Sequence, residues 1–125
     1  MAMSRPSLQG ASILVVEDEP LIALDISNAF EGTGAQLTTT NSLKHAKVLV
    51  ENDGLSAAIL DHALSDGDST SICTRLKERD IPFLMFSGYP PTDNACQGAP
   101  HLGKPATHEQ LLNAVEALLR DRKVS

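Results

Sequence analysis

Tryptophan is absent from this 125-residue chain, and the other aromatics amount to one tyrosine and three phenylalanines. A core built from it has to be aliphatic. Cationic residues are also scarce: ten Lys and Arg stand against sixteen Asp and Glu, a formal charge of −6. That balance argues against a nucleic-acid binder, which needs a cationic surplus to neutralise phosphates. No apolar run approaches the roughly 18 residues that a membrane span requires. The opening stretch to Ser12 lacks an apolar h-region, so residues 1–10 read as a short tail and not as a secretion signal. There is no internal repeat and no low-complexity stretch. Cysteine occurs only at Cys73 and Cys96, without CxxC spacing. These read as two isolated thiols, buried or incidental, in a reducing cytosol and not as a disulfide framework.

What is present suits one domain with one core: the apolar content is 42%, in a length ordinary for a single unit. Strand and helix patterns alternate. Ser12 to Glu17 is a continuous apolar strand. Pro20 sits where a first helical turn tolerates it, and Ile22, Ile26, Ala29 and Phe30 recur at helical spacing until Gly32 and Gly34. Gln36 to Thr40 reads as a weaker strand. Asn41 or Ser42 caps a helix carrying Leu43, Ala46, Val48, Leu49 and Val50, and Asn52-Asp53-Gly54 is a turn. Ser56 to Asp61 is a third strand. Ser65-Asp66-Gly67-Asp68 is a turn, with Asp66 and Asp68 as turn residues. A helix around Ile72 and Leu76 and a strand from Ile81 to Ser87 follow.

Gly88 to Pro100 contains Pro90, Pro91, Gly98 and Pro100, which disfavour a regular helix. His101 to Gly103 is a short fifth strand. Thr107-x-x-Gln110 is a capping box ahead of an amphipathic helix with Leu111, Leu112, Val115, Leu118 and Leu119. The expected fold is α/β: a doubly wound, five-stranded parallel sheet covered by helices on both faces.

Chemistry gathers at the strand ends. Glu17-Asp18 follows the first run and Asp61 the third. Ser87 ends the fourth, and Lys104-Pro105 precedes the last helix. Ligands bind at the carboxyl edge of open parallel sheets. Three ionised carboxylates at one site raise each other's pKa or recruit a cation, and a hard ion such as Mg2+ suits oxygen donors. Such a site, with a lysine and a hydroxyl, is built to receive a phosphoryl group, with Asp61 as the nucleophile.

These motifs, in this order and with helices between them, resemble the response-regulator receiver domain over residues 11–122, which implies the flavodoxin/CheY-like form of the sheet, here with the fourth helix shortened or missing. The resemblance implies that Asp61 is the phosphoacceptor. Mg2+ (or Mn2+) would be held by Asp18 directly, by Glu17 partly through water, by Asp61 and by the backbone carbonyl of Ala63. Ser87 would be the switch hydroxyl, Lys104 would pair with a phosphoryl oxygen, and the Lys104-Pro105 bond is often cis in such domains. It further implies a cytoplasmic phosphoprotein fed by a sensor histidine kinase or a histidine phosphotransfer protein. It would act on a further protein and not on nucleic acid or a membrane, as a monomer or weak dimer that also catalyses its own dephosphorylation.

Receivers usually carry an aromatic residue three positions before the lysine; here that switch position is His101, an imidazole able to titrate. Ser87-Gly88-Tyr89 is similar to a Thr-Gly-Tyr-like signature of stand-alone receivers, and with no output domain after Ser125 the chain is expected to act alone. Tyr89 beside Pro90-Pro91 is either a partner contact or packing.

Two alternatives use the same residues. One is a pseudo-receiver, a constitutive binding module with an unused pocket. The other is an Asp-nucleophile phosphatase of the haloacid-dehalogenase kind, which wants a second acid two residues past the nucleophile, where Ala63 stands. His45, His62, His101 and His108 show no metal-ligand spacing.

Overall fold

The computed structural model describes residues 5–64, 66–88 and 96–124. The turn position Ser65 and the Tyr89-Pro90-Pro91 contact lie outside the described residues. In chain order the elements are β1 (Ser12–Val16), α1 (Pro20–Phe30), β2 (Gln36–Thr40), α2 (Leu43–Leu49), β3 (Ala57–Leu60), β4 (Ala63–Leu64), β5 (Gly67–Asp68), α3 (Thr70–Glu78), β6 (Phe83–Ser87), β7 (His101–Gly103) and α4 (His108–Val124). Among the described residues none between Ser87 and His101 is helical.

The main sheet has the order β2-β1-β3-β6-β7, and every pairing in it is parallel. The chain runs from β1 to one side and returns to β3 on the other, so the order reverses at β1 and β3. A crevice opens at such a reversal, beyond the carboxyl ends of the strands. β4 and β5 form a separate two-residue antiparallel hairpin immediately after Asp61, where sequence alone indicates only a turn.

β1, β3 and β6 are apolar on both faces because helices cover both. Alternate residues feed two clusters. Ile13, Val15, Ala57, Ile59, Leu84 and Phe86 face α1 and α4, joining Ile26, Phe30, Leu111 and Val115. Leu14, Val16, Ala58, Leu60, Phe83 and Met85 face α2 and α3, joining Ala46, Ile72 and Leu76. Each large aliphatic side chain so buried contributes about 1.5–3 kcal/mol.

Segments read as plain loops do more. Leu8, within residues 1–10, is 0% exposed and belongs to the first cluster. Arg5 pairs with Glu116 of α4, and Ser7 Oγ donates to the same carboxylate at 2.7 Å. Gly34 accommodates this strap: its φ is +85°, and a Cβ there would lie 2.9 Å from Gln9 Cγ, so glycine is required. The two helix caps follow the sequence. Ser42 accepts from the His45 amide at 3.0 Å. Thr107 and Gln110 exchange side-chain-to-backbone bonds of 2.8 and 3.0 Å, the reciprocal pattern of a capping box.

The cysteines depart from expectation. Cys73 on α3 and Cys96 form a disulfide, with Cα atoms 5.2 Å apart, and neither is a free thiol. Spacing along the chain carries no trace of this pair, because α3 and β6 bring the two residues together only on folding.

Candidate functional site

Glu17, Asp61 and Lys104 each stand one residue past a strand, and the hydrogen-bond ladder of the sheet extends to them. The Glu17 amide donates to the Thr40 carbonyl at 3.0 Å, the Asp61 amide to the Val16 carbonyl at 2.9 Å, and the Lys104 amide to the Ser87 carbonyl at 3.0 Å. Backbone position at Glu17, Asp61 and Lys104 is therefore fixed by the sheet and not by a loop.

The side chains converge at the crevice. One carboxylate oxygen from each of Glu17, Asp18 and Asp61 lies within 4.8 Å of the others. Lys104 Nζ is 2.8 Å from Glu17 Oε1 and 3.3 Å from Asp61 Oδ2. Its ammonium also lies 5.6 Å from the centroid of the Phe86 ring, a cation–π contact that holds the stem in place. Lys104-Pro105 is cis. Ser87 is buried, and its Oγ is 3.3 Å from Nε2 of the exposed His101. Ala63, two residues past Asp61, starts β4 in register with Asp68.

Glu17 is the most enclosed of the acids, 2% exposed. Burial raises its carboxyl above the ordinary value of 4.5. The Lys104 bond and the Glu19 amide pull it down, and the charge of Asp61 adds to the rise. That amide donates to Glu17 Oε2 at 3.1 Å, so the acid also satisfies a backbone donor at the start of α1.

With all three acids ionised, one ammonium leaves two negative charges uncompensated, the deficit a divalent cation fills. Three clustered carboxylates and no nitrogen or sulfur donor suit a hard ion such as Mg2+. Among the described residues this is the one cluster of three such groups, and no histidine belongs to it. A shallow hollow of about 380 Å³ adjoins the acids, lined in part by Glu17, Asp18, Thr40 and His45. A more voluminous open groove of about 850 Å³ lies at the other end of β6, between Ile81, Phe83, Pro100 and Leu118, away from this chemistry.

Two partners escaped the sequence. Asp66, read as a turn residue, reaches across to α2. Its carboxylate accepts from the Leu43 amide at 3.0 Å and from the Lys44 amide at 3.4 Å. The Leu43 bond is the main cause of its lowered pKa. The Glu17–Lys104 pair was not anticipated either, since the lysine was expected to face a phosphoryl oxygen. No local signal marks either contact.

Residues 13–116 match the family described as the response regulator receiver domain. The chain belongs to that family. It is thus a phosphoacceptor module of two-component signal transduction, and the unused-pocket alternative is not favoured. The receiver is 28% identical to the transcriptional regulatory protein TcrA of Mycobacterium tuberculosis over 120 residues, 90% of this chain and 47% of TcrA. The chain therefore spans about half the length of that curated relative. It is 35% identical to SdrG of Sphingomonas melonis, with a TM-score of 0.75 over 92% of this chain and 99% of SdrG. A receiver from Methanospirillum hungatei is 22% identical with a TM-score of 0.81, over 91% and 97% of the two chains, and shows the fold alone. No described helix is long and apolar enough to cross a membrane.

Proposed function

We propose that Asp61 is the phosphoacceptor of this receiver. It takes its phosphoryl group from a histidine of a sensor histidine kinase or a histidine phosphotransfer protein. The observation that carries this reading is the convergence of Lys104 with Glu17 and Asp61 beside Asp18 at the carboxyl edge of the sheet.

A carboxylate oxygen of Asp61 forms the new P–O bond as the donor's P–N bond breaks, and the departing imidazole takes up a proton. Lys104 transfers part of its bonding from Asp61 to a phosphoryl oxygen, and the Ser87 hydroxyl turns from His101 to donate to another. Asp18, Asp61 and the carbonyl of Ala63 would hold Mg2+ (or Mn2+), with Glu17 acting partly through water. When bound, the ion neutralises charge on the transferring phosphoryl group. Hydrolysis of the same acyl phosphate by water resets the domain. His101 takes the place of the aromatic switch residue, so release of Ser87 frees an imidazole at the edge of β7. The excess of negative charge supports a protein as the downstream partner, met as a monomer or weak dimer in the cytoplasm. A phosphatase of the haloacid-dehalogenase kind is disfavoured, since Ala63 offers no acid at the position where that chemistry needs one.

Acetyl phosphate with Mg2+, followed by intact mass, tests the assignment. One phosphoryl adduct is expected on the wild type and none on Asp61→Asn. Failure of the folded wild type to gain an adduct, or an adduct on the folded variant, overturns it. SdrG has a structure in its BeF3-activated conformation, 36% identical to this chain. Beryllofluoride with Mg2+ is accordingly expected to shift the amides of Asp61 and Ser87.

A further inference from the structure

We infer that the Cys73–Cys96 pair is a redox-modification site, whose thiol or disulfide state sets how firmly β7 is held and so how Lys104 and His101 are presented. The argument begins with the core. Two apolar clusters fill both faces of the sheet, so this domain does not need a staple to compensate for a thin interior, as small disulfide-rich domains do. Cys73 is fully buried on α3, with its sulfur 3.9 Å from Met85 Sδ. Cys96 is equally buried, 3.9 Å from Ser69 Oγ. A thiol packs in such places as a small apolar group, so the fold tolerates either state.

The bond changes the strand that follows. Cys96 lies five residues before His101 and eight before Lys104. β7 is an edge strand of three residues paired only with β6, and its burial is slight, with Leu102 half-buried between exposed neighbours. The Met85 amide bonds the Pro100 carbonyl at 2.9 Å, and the Ala99 amide bonds Cys96 itself at 3.4 Å. Covalent attachment to α3 is thus the strongest anchor on the entry to β7.

Reduction requires a dithiol. Its thiolate bonds to one sulfur of the pair, the S–S bond breaks, and the other cysteine leaves and takes a proton. The second thiol of the reductant then displaces the first cysteine. Two electrons and two protons pass to the pair, and the dithiol departs as its own disulfide. Disulfides in reducing compartments are mostly transient or redox-sensing. This last step of the argument rests on the cytoplasmic placement proposed above, but the test does not depend on phosphoryl transfer, so the two readings fail separately.

The test is alkylation of the denatured, air-exposed protein before and after dithiothreitol, then amide hydrogen exchange on the oxidised, reduced and Cys73→Ala/Cys96→Ala forms. No adduct before reduction and two after it are expected. The Met85 and Lys104 amides should exchange roughly tenfold faster in the reduced protein and in the double variant, while the Asp61 amide stays protected in all three. Two reactive thiols in air-oxidised protein overturn the inference. So does equal exchange at Met85 and Lys104 in the oxidised and reduced forms. If the double variant does not fold, the reduced wild type carries the comparison alone.

Discussion

The middle of the sheet and its β7 edge deliver opposite charges to one site by different means. β1 and β3 are buried on both faces, and the acids at their ends inherit the rigidity of two packed clusters. β7 is short and largely exposed, and Lys104 gains its position from a ladder bond and the ring of Phe86. The difference teaches that the acidic half of the site is preorganised by the core, whereas the cationic half can be adjusted without disturbing it. A switch needs such a division, because like charges held close have to stay in place while the groups that answer them move.

The comparison can be broken at its centre first. Ile59→Ala removes a side chain 1% exposed and should cost about 4 kcal/mol in denaturant unfolding. Leu102→Ala, at the half-buried edge, should cost about 1 kcal/mol in the same experiment. Similar losses at both positions would erase the distinction. Next comes the staple: the disulfide closes a sequence separation of 23, and reduction should lower stability by about 3 kcal/mol, with the β1 and β3 amides still the most protected.

Lys104→Met should slow labelling by acetyl phosphate about 100-fold, near 2.7 kcal/mol of barrier. The acids keep their positions in that variant, so Mg2+ binding followed by NMR should persist. Loss of metal binding together with labelling would mean that the lysine organises the acids as well. The smallest effect lies at the hairpin after Asp61. Folding lowers the Asp66 pKa from its ordinary value of 3.8 through the Leu43 amide. The native state therefore binds fewer protons than the unfolded chain around that pH. The cap's contribution is present above pH 3.8 and is lost as pH falls through the lower, folded value. The Leu43 amide shift should titrate below 3.8, and a midpoint at or above 3.8 would remove the cap from the account.

Much of this was legible in the residues. Ile13 to Val16, Ala57 to Leu60 and Phe83 to Phe86 announce strands buried on both faces, and the polar residues that close them fall at the sheet edge by chain direction alone. Thr107 and Gln110 marked the start of α4 because a capping box acts within one helical turn. Four contacts were not legible: Leu8 in the core, Asp66 on α2, the Glu17–Lys104 pair and the Cys73–Cys96 bond. Each joins residues that no periodicity links.

The sequence by itself determined the chain order of the five main-sheet strands and the helices between them, and the identity of the acids, lysine and serine at the sheet edge, since apolar runs, turns and caps act over a few residues. Only the tertiary structure decided that Lys104 pairs most closely with Glu17, that a two-residue hairpin grips α2, and that one covalent bond anchors the approach to β7. Those depend on how whole helices settle against the sheet, and packing over such distances has no signature in the local chain.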